Sequence, residues 1–201
     1  MRIAAVILAG GKGERLGGAN KALLEIGGRS FVDRAVEAAR GCEPILIAAG
    51  PRGFEVPSGT TAIPDLESDY AGPLAGVAAA VDRLRPGTAD ALFSIAVDTP
   101  LFPTDFLSRA LPLLDEADVV IGAYGAQDYP TNALWRLDSI AGLAEHVRSG
   151  AAPRSLKRLA EGLRAERVDY AKLAAEDPFR NANTPEDLEL LRGAEAARNA
   201  G

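Results

Sequence analysis

Cysteine, histidine, methionine and tryptophan each occur once in the 201 residues, and aromatic side chains make up 5% of them. With Cys42 alone, an intrachain disulfide and a cysteine-rich metal centre are both excluded, which suits a reducing compartment. The single histidine, His146, stands in "GLAEHVRSG", a helical pattern with no nucleophile beside it, so hydrolases of the Ser–His or Cys–His kind gain no support. Basic residues are the minority. Lys and Arg number 22 against 28 Asp and Glu, for a formal net charge of −6, whereas a general nucleic-acid binder carries a basic excess. Long apolar runs are missing too. Ile3 to Ala9 is at the lower limit of a signal-peptide core and charged "KGER" soon follows, and no stretch reaches the length that spans a bilayer. A cytoplasmic chain is expected, with neither a nucleic-acid nor a membrane partner.

What is there is an ordinary globular balance, 47% hydrophobic and 25% charged, on a length that suits one domain, 1–201. "IAAVILA" (3–9), "PILIAA" (44–49), "ALFSIAV" (91–97) and "DVVIGAY" (118–124) are short and continuously apolar. Strands buried on both faces of a parallel sheet read in this way. Helical spacing fills the intervals at 30–40, 73–84 and 104–117, with Ser30 and Thr104 as expected N-caps. "NALWRLD" and "AERVDY" add two strands, one of them antiparallel, and "PRSLKRLAEG" a helix. The alternation predicts an α/β fold, a doubly wound and mostly parallel sheet flanked by helices in the Rossmann-like manner. Ligands of such sheets bind beyond the carboxyl ends of the strands.

One loop there is unusual. "LAGGKGERLGGANK", Leu8 to Lys21, holds five glycines. A P-loop is one residue away: Gly13 and Gly18 have the spacing, but Ala19 stands where the Lys belongs. The dinucleotide fingerprint is also one residue away, with Leu16 in place of its third glycine. The physical reading survives both failures. Glycines let backbone N–H groups converge on an anion, and Lys12, Arg15 and Lys21 add cationic donors suited to phosphate.

The loop resembles the signature of the nucleotidyltransferases, L-A-[AG]-G-x-x-x-R-[ML]-G-x-x-x-K. "GPLAG", "VDTPLFP", "YPTNALW" and "NANTPEDL" extend the resemblance along the chain, and their order is similar to the molybdenum cofactor guanylyltransferase family. The resemblance implies transfer of GMP from GTP to molybdenum-bearing molybdopterin, with release of pyrophosphate. It implies Mg²⁺ as cofactor, and partner proteins that deliver and receive the molybdenum cofactor. Leu8, Ala9, Gly10 and Gly11 would line the nucleotide, with Gly10 favouring guanine; Arg15 and Lys21 would meet the triphosphate. Asp98, directly after a buried strand, would hold the metal, which prefers one or two carboxylates plus substrate phosphates. Asp65 would stand at the nucleotide site.

Other residues carry two readings. Gly72 and Gly76 suit close approach of a base and equally an Ala/Gly-rich buried helix. In "NANTPEDL", Thr184, Pro185 and Asp187 form a complete helix start. Asn181 and Asn183 are not explained by it, and the resemblance puts them in the cleft as acceptor-binding residues. Three positions depart from the family pattern: Asn20 where Asp is frequent, Ala48 where an Asn can contact nucleotide, and Tyr129 where His is common. Those departures leave a cytidylyltransferase of the same cofactor, or a sugar-phosphate nucleotidyltransferase, as rival enzymes. A nucleotide-sensing domain without catalysis is the rival outside enzymology, and Lys21 and Asp98 argue against it.

Overall fold

Continuous apolar runs become inner strands, because a sheet covered on both faces leaves no side for polar residues. The computed structural model describes residues 1–10, 20–50, 53–64, 66 and 72–200. In chain order it contains β1 (Ile3–Leu8), a 3-10 turn (Lys21–Leu23), β2 (Glu25–Ile26), β3 (Arg29–Ser30), α1 (Phe31–Ala38), β4 (Ile45–Ala48) and β5 (Thr61–Ile63). Next come α2 (Pro73–Arg83), β6 (Ala91–Ala96), α3 (Phe106–Leu113), β7 (Val119–Tyr124) and β8 (Gln127–Arg136). The chain continues through α4 (Leu137–Ile140), α5 (Leu143–Arg148), α6 (Leu156–Glu161), β9 (Ala165–Asp169) and, after a second 3-10 turn, α7 (Pro185–Ala200).

Seven strands form one sheet in the order β5-β4-β1-β6-β8-β7-β9. β5, β4, β1 and β6 are parallel to one another. β8 runs antiparallel between β6 and β7, and β9 pairs parallel with β7. The expected mostly parallel, doubly wound α/β sheet is therefore present, with the first five residues of "NALWRLD" in its antiparallel strand and the last two in α4. Alternate residues of β1 feed two cores. Ala5 and Ile7 pack with α1, α3 and α7, whereas Ala4 and Val6 pack with α2, α5 and α6. Cys42 lies in the first core, where burial pushes its thiol up to about 11, leaving little nucleophilic thiolate at neutral pH.

Ser30 caps α1 as expected, its Oγ accepting from the Asp33 amide at 3.1 Å. The expectation for Thr104 is corrected. The N-cap of α3 is Asp105, whose side chain makes no cap bond and instead accepts from Arg109 Nε at 2.5 Å and from the Tyr170 hydroxyl at 2.7 Å. α3 also stops at Leu113 rather than reaching residue 117. Pro112 stands in its last turn and has no N–H for the Ser108 carbonyl, and the last helical bond runs from the Leu114 amide to the Ala110 carbonyl at 3.1 Å. The β2–β3 hairpin was not foreseen. Gly27 and Gly28 both have positive φ, 59° and 72°, which a tight two-residue hairpin turn requires. Arg34 of α1 stitches it to the C-terminal helix, donating from Nη2 to the Ile26 carbonyl at 2.6 Å and to Glu195 at 2.7 Å.

Candidate functional site

β4, β1 and β6 are neighbours, and their carboxyl ends floor a cavity of about 240 Å³. Leu8 and Gly10 follow from β1, Ala48 from β4, and Ala96, Val97 and Asp98 from β6. Gly72 and Pro73 bring the N-terminus of α2 to the same cavity. Pro73 is preorganised for a first helical turn. Its N-cap residue is Gly72, which has no side chain to cap it, so its N–H groups and positive dipole face a place suited to an anion.

Small residues hold part of this wall by close approach. The backbones of Gly10 and Gly50 touch: a Cβ on Gly50 would lie 2.8 Å from the Gly10 Cα, and one on Gly10 would lie 3.3 Å from the Gly50 Cα. Gly10 therefore has a packing reason beside the base preference expected of it. Gly76, on the face of α2 towards the sheet, would meet Leu8 Cδ2 at 2.7 Å and the Ala48 Cβ at 3.2 Å if it carried a Cβ. Ala48 belongs to this fitted wall, where a larger residue would crowd α2.

Lys21, Asp98, Thr131 and Asn181 supply the polar lining. The Lys21 ammonium donates to Asp98 Oδ2 at 2.9 Å and to Asn183 Oδ1 at 2.6 Å. The two charged side chains are only 12% and 22% exposed. Each comes from a different part of the chain. Asn20 caps the 3-10 turn that begins with Lys21, its Oδ1 accepting from the Ala22 amide at 3.1 Å. An Asp could make the same bond, so the departure at position 20 leaves local geometry in place. Asp98 sits in a turn closed by Thr99, whose amide and hydroxyl both donate to the Ala96 carbonyl, at 3.2 and 2.7 Å. Its carboxylate caps no helix and faces Lys21.

Asn181 and Asn183 flank Ala182, which is fully buried, and both are exposed. The Ala182 amide donates to the Asp98 carbonyl at 2.9 Å, which pins the segment beside the turn. Asp187 Oδ2 then accepts from the Asn183 and Thr184 amides at 3.0 and 2.9 Å, and Thr184 Oγ1 accepts from the Asp187 amide at 3.2 Å. That reciprocal pair is the expected helix start. It fixes where the two asparagines leave the helix.

Below this segment Phe179 is wholly buried. Its ring lies 5.6 Å from Phe102, 5.1 Å from Tyr129 and 5.5 Å from Tyr170. Room for it exists because position 122 is glycine: a Cβ there would sit 2.7 Å from Phe179 Cζ. Tyr129 packs on this ring and donates its hydroxyl to Asp177. Burial and that carboxylate push the tyrosine's pKa well above its usual value. Tyr129 thus braces the segment that ends in Asn181.

A strand irregularity opposite Gly122 completes the site. One step along β7, from Ile121 to Gly122, spans Ala133 to Tyr129 on β8. Pro130, Thr131 and Asn132 are therefore out of register, as a proline within a strand favours. Thr131 thereby reaches the cavity lining. Sequence reasoning did not single out Thr131 or Asn132; the available signal was a proline interrupting an otherwise strand-like run.

Of the expected residues, the structure brings together Leu8, Gly10, Lys21, Asp98 and Asn181 at one cavity, with Asn183 bonded to Lys21. Ala9 is buried beside them and its amide donates to the Ala48 carbonyl at 2.9 Å. Gly11, Lys12, Arg15 and Asp65 lie outside the described residues. Trp135 is fully buried and donates from Nε1 to Ser94 at 2.9 Å, a packing residue outside the lining of this cavity. His146 is exposed on α5. Among the described residues no three His, Cys, Asp or Glu side chains gather as a metal cluster, and no helix is long and apolar enough to cross a membrane.

The model of the family described as "MobA-like NTP transferase domain" matches residues 5–168. Curated relatives include the molybdenum cofactor guanylyltransferase of Rhodobacter capsulatus, 35% identical over 189 residues that cover 94% of each chain. The protein of the same name from Bradyrhizobium sp. (strain ORS 278) is 32% identical over 193 residues, 91% of this chain and 88% of that one. Among solved structures, molybdopterin-guanine dinucleotide biosynthesis protein A from Archaeoglobus fulgidus has a TM-score of 0.72 at 20% identity, over 98% of this chain and 100% of that one. The 2-C-methyl-D-erythritol 4-phosphate cytidylyltransferase from Thermus thermophilus has the same score at 17% identity, with the same two coverages. Those structural likenesses show the fold.

Proposed function

The chain belongs to the family of MobA-like NTP transferase domains, and from that premise we propose that it transfers GMP from GTP to molybdenum-bearing molybdopterin. The observation that carries this reading is the meeting of Lys21, Asp98 and Asn183 at the carboxyl edge of the sheet, beside the N-terminus of α2. The guanylyl part rests on the names of the relatives, which are similar over nearly their whole length.

An oxygen of the acceptor's terminal phosphate attacks the α-phosphorus of GTP. The new P–O bond forms as the bond to the bridging oxygen breaks, and pyrophosphate leaves. Little covalent work falls to the protein, which aligns two phosphates and opposes developing charge. Leu8, Ala9 and Gly10 would line the nucleotide, with Gly11 and Asp65 beside them. Arg15 and Lys21 would contact the triphosphate, and Asn181 the acceptor.

Asp98 and Asn183 fit a hard divalent ion, since their two oxygens already converge on a single cation, the Lys21 ammonium. Mg²⁺ is the proposed occupant, which Asp98 and Asn183 would hold; when bound it would neutralise charge on the triphosphate and the leaving pyrophosphate. The Lys21 ammonium would donate to the phosphate oxygens. On this reading the protein acts as one domain, in the cytoplasm, and takes the cofactor from one protein and passes it to another.

Nucleotide-dependent protection tests the reading. GTP at a hundred times its Kd should stabilise the fold by about 2.7 kcal/mol, seen as a rise in Tm, whereas CTP at the same concentration should give little. Equal protection by CTP would turn the assignment to a cytidylyltransferase.

A further inference from the structure

We infer that Asn132 is a positioning residue for Asp98, acting through the turn that carries it; the inference rests on the reading of Asp98 as the metal-holding carboxylate. Regular pairing of β6 with β8 ends at Ser94 opposite Ala133, because the next three residues of β8 leave the register. The end of β6 stays paired with β1 but loses its backbone partner on the β8 side, just where the Asp98 turn begins. A side chain replaces it. Asn132 Oδ1 accepts from the Ala96 amide at 2.9 Å, and the Thr99 hydroxyl oxygen, whose proton goes to the Ala96 carbonyl, lies 3.4 Å from it. Thr99 in turn closes the turn on the Ala96 carbonyl. The carboxamide oxygen thus holds the Ala96 end of the segment Ala96–Thr99, and Thr99 closes the other end back onto Ala96, with Asp98 between them.

The other half of the same carboxamide shows what the position is for. Asn132 is 0% exposed, and among the described residues its Nδ2 has no hydrogen-bond partner. A stranded donor in a core is costly, and an apolar side chain of the same size would avoid it. A residue chosen to fill space would be apolar. The stranded N–H accompanies the acceptor, and the acceptor's bond goes to the turn that aims Asp98 at Lys21 and Asn183.

Asn132→Leu separates positioning from packing. It keeps the branched shape with somewhat larger end groups and removes the stranded Nδ2, but leaves the Ala96 amide unpaired in exchange, so the changes oppose each other in stability. The readout is Mn²⁺ binding to the protein without nucleotide, followed by loss of the electron paramagnetic resonance signal of free Mn²⁺. Changes to groups that orient a metal ligand typically weaken metal binding by about 10–100-fold. A loss of that size is expected for Asn132→Leu, with kcat reduced and KM for GTP within about twofold of the parent. Asn132→Asp keeps the shape and the acceptor and should hold Mn²⁺ within about tenfold of the parent; should the Leu variant not fold, this variant decides alone. Parent-like Mn²⁺ affinity in Asn132→Leu would overturn the inference, as would equal loss in a folded Asn132→Asp. Asp98→Ala is the separating control: if it binds Mn²⁺ like the parent, the metal assignment fails and the inference with it. If only Asp98→Ala loses the ion, the proposed function stands and the role of Asn132 does not.

Discussion

Asp98→Ala is expected to lower pyrophosphate release by on the order of 10³-fold, with the fold intact. The carboxylate is at the cavity wall and its hydrogen bond goes to Lys21. Lys21 keeps Asn183 as a partner when the carboxylate is removed. The structural duties of residue 98 belong to its backbone, whose carbonyl accepts from Ala182, while Thr99 closes the turn. An Ala there retains all of these, so Tm should move by no more than about 2 °C. Turnover measured alongside a thermal melt checks both halves. Parent-like activity in a folded Asp98→Ala protein would remove this residue from the chemistry.

Phe179→Ala should have the largest effect on stability. The ring is fully buried among Phe102, Tyr129 and Tyr170, and truncations of that kind cost about 3–5 kcal/mol. At roughly 2–4 °C per kcal/mol for a chain of this size, Tm should fall by about 10 °C. A functional consequence follows from its place in the chain. Two residues later comes Asn181, and the cavity the ring leaves would release the segment that presents Asn181 and Asn183. Turnover should therefore fall even at temperatures where the variant is folded. Leu156→Ala gives the comparison, since Leu156 is buried in the core on the opposite face of the sheet. It should lower Tm by a few degrees and leave kcat near the parent's. If both variants affect turnover equally at matched folded fraction, Phe179 serves only general stability.

The inner strands were legible because a run such as "IAAVIL" has no polar position to contradict it, and the carboxyl-edge rule then located the site. That rule placed Leu8, Gly10, Lys21 and Asp98 around one cavity, although Lys21 and Asp98 are 77 positions apart. The β2–β3 hairpin was harder to read. Strands of two residues carry no periodicity, and "GG" alone does not tell a hairpin turn from an ordinary loop. The helix expected at 104–117 was overextended, since the apolar spacing continues to Ala117 whereas the helix ends at Leu113. Asn132 was hidden for a related reason. In "PTNALW" it stands at the edge of an apolar run, where a polar residue reads as the start of a strand. Its importance depends on a lost register with β7 that periodicity does not encode. Gly10 was legible as special, but part of the reason is its contact with Gly50, 40 positions along the chain.

The central claim is GMP transfer, and pyrophosphate release with each nucleoside triphosphate in turn tests it most directly, with molybdenum-loaded molybdopterin as acceptor and Mg²⁺ present. The account predicts release with GTP that depends on the acceptor, and at least about tenfold less with CTP, ATP or UTP. Release with CTP equal to or above that with GTP, or release with GTP that ignores the acceptor, would contradict it.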